Sequence, residues 1–368
     1  MTTNDNHTNV DRLFDPLTFT RGPVLKNRFS LAPLTNTQSH EDGSASEQDR
    51  IFLEKRAAGG FALVTSCAAH VDINGIGFSG QLGCFDDQHI AGLTDIAQDI
   101  KKSGALSSLQ IHHAGNRALD TVTDKVGPSL DSESNTRAMS EDDILVVINQ
   151  FAAAAFRAEK AGFDGVQIHA GHGYLIAQFM SPTINKRQDK WGGSFENRMR
   201  MLVLIIEKIR TTCRKDFQIG VRISPERFGL ELSEMISLVK LLEQGTKVDY
   251  IDLSLWDVNK EPEQAEFKGK KLISYFTSIN REFLKIGVAG AIMSAQTAAQ
   301  CLEQGADFVS IGKAGILAHD FPLKVKANAD YISPSLPVSK ADLEAQWIGR
   351  NFINYLTGFK GLMKQDAK

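Results

Sequence analysis

The chain has 368 residues, of which 42% are apolar and 23% charged, with four cysteines and a formal charge of −3. That balance is ordinary for a soluble globular protein, lacks the basic excess nucleic-acid binding relies on, and is long enough for two domains or one large α/β barrel. Cys67, Cys84, Cys213 and Cys301 are scattered without a C-x-x-C pair, which argues against a disulfide framework, a zinc knuckle or a four-cysteine cluster. The polar N-terminus has no apolar h-region, and the apolar run 201–206 is far too short to cross a bilayer. No nucleic-acid or membrane partner is expected, and the expected location is the cytoplasm.

One junction recurs along the chain: a helix-like segment, a glycine, then a short apolar β-rich run. It appears at Gly59-Gly60, Gly104, Gly162, Gly245 and Gly305. Glycine just past a helix supplies the left-handed residue that turns the chain back toward a strand. The runs following these junctions, with others between them, give eight strand candidates: 29–32, 61–65, 106–111, 166–169, 217–223, 250–253, 284–288 and 308–311. Strands alternating with helices mean βαβ units and a parallel sheet. Eight of them predict a (β/α)8 barrel, with a flavodoxin-like doubly wound sheet as the alternative. Ser140 followed by Asp143 reads as a capping box opening a helix over 141–160, where Ile144, Val147, Ile148, Phe151 and Ala155 recur at helical spacing. No linker divides the chain, so 1–368 is read as one domain. Residues 1–12 are expected to be flexible and 335–368 to form a helical extension. Phe352, Tyr355, Leu356 and Phe359 sit at helical spacing there, either to cap the barrel or to support a homo-oligomer.

Two long polar stretches, 115–138 and 169–197, follow the third and fourth strands, at the ends where barrel enzymes place their chemistry. The second begins Gln167-Ile168-His169-Ala170-Gly171-His172-Gly173-Tyr174. Two histidines three apart with a tyrosine two further on can hold an anionic or carbonyl oxygen and supply a proton. The same residues also read as part of a metal site, although no carboxylate or cysteine completes a ligand set, or as a structural hydrogen-bonded pair. Ala289-Gly290 and Gly312-Lys313 follow the last two strands, where barrels commonly bind phosphate; tight turns are the alternative. Gln110 and Arg222 lie within strands. A charge there is costly unless paired, so Arg222 either faces a cofactor at the barrel mouth or pairs internally, for example with Asp252.

These motifs resemble the old yellow enzyme family of FMN-dependent oxidoreductases. The resemblance runs from Leu13-Phe14-Asp15-Pro16 and Ala32-Pro33-Leu34-Thr35 through Gln110-Ile111-His112-His113-Ala114-Gly115. It is densest over 161–175, continues through Gln178-Phe179, Asn185-Lys186-Arg187 and Glu196-Asn197-Arg198, and ends near Gly312-Lys313. It implies a single α/β (β/α)8 TIM barrel with an N-terminal β-hairpin cap and an inserted lid after the third strand. It further implies non-covalent FMN, with NAD(P)H as hydride donor and a small-molecule enone or other electrophile as substrate. Pro33, Leu34 and Thr35 would lie against the flavin, with Cys67 nearby. Gln110 would pair with its pyrimidine edge, Arg222 would lie beside N1 and O2, and Ala289, Gly290, Gly312 and Lys313 would hold the phosphate. His169 and His172 would bind the substrate oxygen, His112 would shape the substrate pocket, and Tyr174 would protonate the α-carbon as hydride reaches the β-carbon. Four positions depart from the family pattern: His112, Ser66, Asn116 (with Arg117 following) and Lys313, a point charge where an arginine fork is usual. Alternatives within the resemblance are reduction of quinones, nitro compounds or nitrate esters, and amine demethylation. A flavin-binding redox sensor is an alternative of a different class.

Overall fold

The computed structural model describes residues 9–364. Eight parallel strands close into a ring: β1 (Phe29–Leu31), β2 (Leu63–Thr65), β3 (Leu106–His112), β4 (Gly165–Ala170), β5 (Gln218–Ile223), β6 (Tyr250–Ser254), β7 (Lys285–Ala289) and β8 (Phe308–Ile311). Pairing of Leu63 with Leu106 and of Phe29 with Val309 completes the closure. Each expected strand is present, and closure excludes the doubly wound sheet. A two-residue strand, Ala69–His70, pairs with β3 outside the ring.

Four of the five junction glycines take the left-handed conformation, Gly60, Gly104, Gly162 and Gly305. At the fifth, Gly245 is the last residue of its helix, and Thr246 adopts the left-handed backbone instead. The helix Glu141–Lys160 begins with the reciprocal Ser140–Asp143 capping box and buries Ile144, Val147, Ile148, Phe151 and Ala155. Its apolar stripe packs on the helix Phe195–Thr212 and on the strands beneath.

Inside the barrel, large rings alternate with glycines. A Cβ on Gly220 would fall 2.1 Å from the Tyr250 ring, and one on Gly287 2.2 Å from the Phe308 ring. These two aromatics therefore fill the interior in the place of the missing side chains. Leu17, Phe19 and Leu25 pack under them with Leu63 and Leu106, plugging the N-terminal end. The expected hairpin cap is reduced to one antiparallel bridge, Leu17 with Leu25. The lid after β3 carries two short paired segments, Lys125–Gly127 and Thr136–Ala138. Of the N-terminal stretch expected to be flexible, 1–8 lies outside the described residues. Residues 9–12 form a helical turn with Val10 buried, because Val10 and Leu13 join the main core. The C-terminal stretch contains two short helices, Lys340–Glu344 and Arg350–Leu356. Arg56, fully buried, fastens this region by donating to the carbonyls of Gly315, Phe52 and Gln346.

Candidate active site

At the C-terminal ends of the strands lies a cavity of about 450 Å³. The expected Pro33, Leu34, Thr35, Gln110, His169, His172, Tyr174, Arg222 and Lys313 all line it. The strand register accounts for part of this convergence, since His169, Arg222 and Asp252 are consecutive partners across β4, β5 and β6. Gln110 is likewise the β3 partner of Gln167.

His169 and His172 form a directed hydrogen-bond chain. Gly171 N–H donates to His169 Nδ1 (3.4 Å), which leaves the His169 proton on Nε2, facing His172 Nδ1 at 3.3 Å. His172 Nε2 then carries the proton toward Ser254 Oγ at 2.8 Å. In this arrangement His169 offers its N–H while His172 Nδ1 accepts; with the Ser254 hydroxyl donating to His172 Nε2 instead, the proton moves to Nδ1, and both rings then face an oxygen ligand that replaces the weak inter-histidine bond. Burial holds both rings neutral: it lowers His169 well below the ordinary imidazole range, and His172 to about 3. His172 has φ of +56°, a left-handed backbone that is uncommon for a non-glycine residue and recurs at active sites.

Tyr174 is set by its surroundings. The fully buried Gln178 amide donates to Ala114 O (3.1 Å) and Gly173 O (2.8 Å) and accepts from Asn116 N–H, clamping the loops on both sides. The Arg117 guanidinium lies 4.9 Å from the Tyr174 ring centre and donates to the His172 carbonyl. His112, expected in the substrate pocket, lies behind the wall instead: it is fully buried and meets the Tyr174 ring edge-on at 4.3 Å. Gln81 Nε2 donates to His112 Nδ1 at 3.0 Å and fixes its orientation.

Other expectations fare unevenly. Cys67 is buried outside the cavity wall, and burial pushes its thiol up, which suits an inert residue. Ser66 accepts from Gln110 N–H (3.1 Å) and donates to the Cys67 carbonyl, anchoring the strand that carries Gln110. Ala289, Gly290 and Gly312 also lie outside the wall. Gly290 is explained by packing, since a Cβ there would fall 2.9 Å from Asp257 N. The cavity wall includes Ala68, Phe78, Phe228, Trp256 and Ile316, and from the C-terminal stretch Phe352, Tyr355, Leu356, Phe359 and Leu362. The helical spacing of the last group was the signal available for it, and its reading as a cap is the one the fold matches. Among the described residues no group of three or more metal-ligating side chains converges, and no helix is long and apolar enough to cross a membrane.

The buried histidines give a pH prediction. An unfolded chain takes up a proton on each imidazole near pH 6.5, whereas His172 stays neutral in the fold down to about 3 and His70 down to about 4. His169 and His112 shift in the same direction. The unfolded state therefore binds more protons below pH 6.5, so stability is fully present above that pH and falls as the solution is acidified. Urea midpoints should drop clearly between pH 7 and pH 5; equal midpoints would contradict neutral burial.

A closed parallel barrel that brings two neutral imidazoles, a phenol, an amide and three cations to one largely apolar cavity has the makings of a barrel enzyme site for a flat, anionic cofactor. The chain belongs to the NADH:flavin oxidoreductase / NADH oxidase family, whose model matches residues 12–331. It is 34% identical over 328 residues to the probable NADH-dependent flavin oxidoreductase YqiG of Bacillus subtilis, covering 85% of this chain and 87% of that protein. It is 34% identical over 318 residues to an NADPH dehydrogenase of the same organism, covering 82% and 90%. Some relatives are longer, and the chain spans 49% of an NADH oxidase of Thermoanaerobacter brockii. Among solved structures, the old yellow enzyme homologue of Zymomonas mobilis superposes with a TM-score of 0.78 at 26% identity, covering 93% of this chain and 99% of that one. The protein is thus an NAD(P)H-dependent FMN oxidoreductase of the old yellow enzyme type.

The residues present fit FMN. Arg222 Nε is buried without a hydrogen-bond partner, a donor that an acceptor on a ring above it would satisfy, and Lys313 supplies a cation on the β8 side.

Proposed function

We propose that the enzyme reduces the activated C=C bond of α,β-unsaturated carbonyl compounds. The observation that carries this reading is the convergence of His169, His172 and Tyr174 on one cavity wall, two neutral donors beside one phenol. Pro33, Leu34 and Thr35, with Gln110, Arg222 and Lys313, would hold the FMN; Cys67, Ala289, Gly290 and Gly312 would support that bed from behind the wall. Reduced by NAD(P)H, the cofactor supplies the hydride.

The rest of the chemistry belongs to the chain. His169 Nε2–H and, with Ser254 donating to its Nε2, His172 Nδ1–H donate to the substrate oxygen, where negative charge grows as the β-carbon is reduced. These uncharged donors, held in place by burial, stabilise that charge by about 3 kcal/mol each. Tyr174 delivers a proton to the α-carbon, and the Gln178 clamp with the His112 and Arg117 contacts holds its ring in place for this. The aromatic wall of Phe78, Phe228, Trp256, Tyr355 and Phe359 favours a flat, apolar substrate. That wall also favours a second reading, reduction of quinones or nitroaromatics, which needs no proton donor at carbon.

The two readings differ in the product. Turnover of 2-methyl-2-cyclohexenone in D2O should place deuterium at the α-carbon of the saturated ketone. Absence of saturated ketone, with quinones still turned over, would favour the second reading.

A further inference from the structure

A row of polar side chains runs through the barrel interior to the cavity, and neither the hydride chemistry nor stability accounts for it. Gln110 Nε2 donates to Gln167 Oε1 at 2.7 Å, and Gln167 Nε2 donates to Asp252 Oδ2 at 3.4 Å. Arg222 pairs with the same oxygen. Asp252 is fully buried and Arg222 nearly so, while Asp252 Oδ1 and Arg222 Nε have no partner. A buried ion pair is weak evidence for stability, because well-packed apolar residues in its place are often neutral or stabilising. A pair left with two unsatisfied atoms is poorer still.

Its geometry has another consequence. An ionised carboxylate only accepts hydrogen bonds. Asp252 therefore forces Gln167 to point its NH2 inward and its oxygen toward Gln110. Gln110 donates one N–H to that oxygen, which fixes the orientation of its amide and leaves its carbonyl and second N–H for a ligand in the cavity. The same carboxylate sits against the Arg222 guanidinium and offsets the positive charge that Arg222 would otherwise present there. One buried carboxylate thus governs both polar side chains expected to meet the pyrimidine end of the flavin.

We infer that Asp252 sets the electron affinity of the bound flavin, lowering it by countering Arg222 and holding the Gln110 amide in one orientation through Gln167. The inference rests on the placement of the flavin against Gln110 and Arg222 given under the proposed function. Reduction brings negative charge onto the ring, so a lone guanidinium would favour the reduced form more strongly than the native pair does. Asp252 is accordingly a positioning and charge-tuning residue; it does not touch substrate.

The test uses the full-length FMN-loaded protein. In Asp252→Asn the midpoint potential should rise, with a reduction equilibrium shifted about tenfold or more, about 30 mV for a two-electron couple. Sulfite, whose adduct with the oxidised ring is anionic, should bind that variant roughly tenfold more tightly by the same electrostatics. Asp252→Glu, which keeps the charge, should restore both toward native values. If Asp252→Asn does not fold, Asp252→Ser removes the charge with a smaller side chain and should show the same two shifts. A folded, FMN-bound variant with unchanged midpoint and sulfite affinity overturns the inference, even if its thermal stability falls. Arg222→Gln separates the two layers of the claim, since it should move the midpoint in the negative direction. If Arg222→Gln is silent as well, the flavin placement itself is wrong; if only the Asp252 variants are silent, that placement stands and the tuning role falls.

Discussion

Tyr174→Phe should slow reoxidation of the reduced enzyme by 2-cyclohexenone by about a hundredfold or more, while its reduction by NADPH stays within about twofold of native. The asymmetry follows from the structure. The phenol is the only proton-bearing group of Tyr174, and its removal leaves the ring contacts with His112 at 4.3 Å and Arg117 at 4.9 Å in place. The variant therefore keeps its cavity and loses one proton. Rapid-mixing measurements of the two half-reactions check this separately. Equal slowing of both would mean that Tyr174 positions the ligands and does not donate to them.

The double replacement His169→Ala with His172→Ala should have the other large effect, a fall in kcat/KM for enones of about a thousandfold or more. The two rings form one hydrogen-bond chain ending on Ser254, so their separate effects are not expected to add. Each single variant leaves one donor able to swing to the substrate oxygen. The double variant should also bind phenols more weakly and lose the long-wavelength absorbance that phenols give with this flavin. Unchanged phenol affinity would remove the oxygen-binding role from the pair.

How much of this was legible beforehand depends on range along the chain. Five of the barrel strands announce themselves locally, because each follows a helix and a turn residue, and all eight are present where the sequence places them. Thr246 shows the limit of that signal: the left-handed position needs a residue, usually but not always glycine, and here Gly245 ends the helix instead. The His169–Tyr174 cluster was legible because six residues of one strand end carry it. His112 was misplaced because its setting depends on Gln81, 31 residues away, which turns the ring behind Tyr174. Gly290 suggested a phosphate, yet the approach of the Trp256–Asp257 backbone already requires a glycine there. The Phe352–Leu362 wall was visible as helical spacing, but its docking over the cavity depends on partners far back in the chain: Gln38, which accepts from Gly349 N–H, and the buried Arg56. Of the four-residue polar row from Gln110 to Arg222, the Arg222–Asp252 pair was legible as the partner a strand-borne charge needs, whereas the links through Gln167 to Gln110 are a product of strand register, which no single segment encodes.

Hydride transfer from NAD(P)H through a flavin in this cavity to an activated C=C bond is the proposed reaction. Its most direct test is the visible spectrum of the purified protein under anaerobic conditions, first with NADPH and then with 2-cyclohexenone. The expected result is a yellow protein that bleaches on adding NADPH and recovers its colour with the enone, yielding cyclohexanone. A protein that bleaches and recolours only with oxygen or a quinone would contradict the ene-reductase claim while leaving the flavoprotein assignment in place.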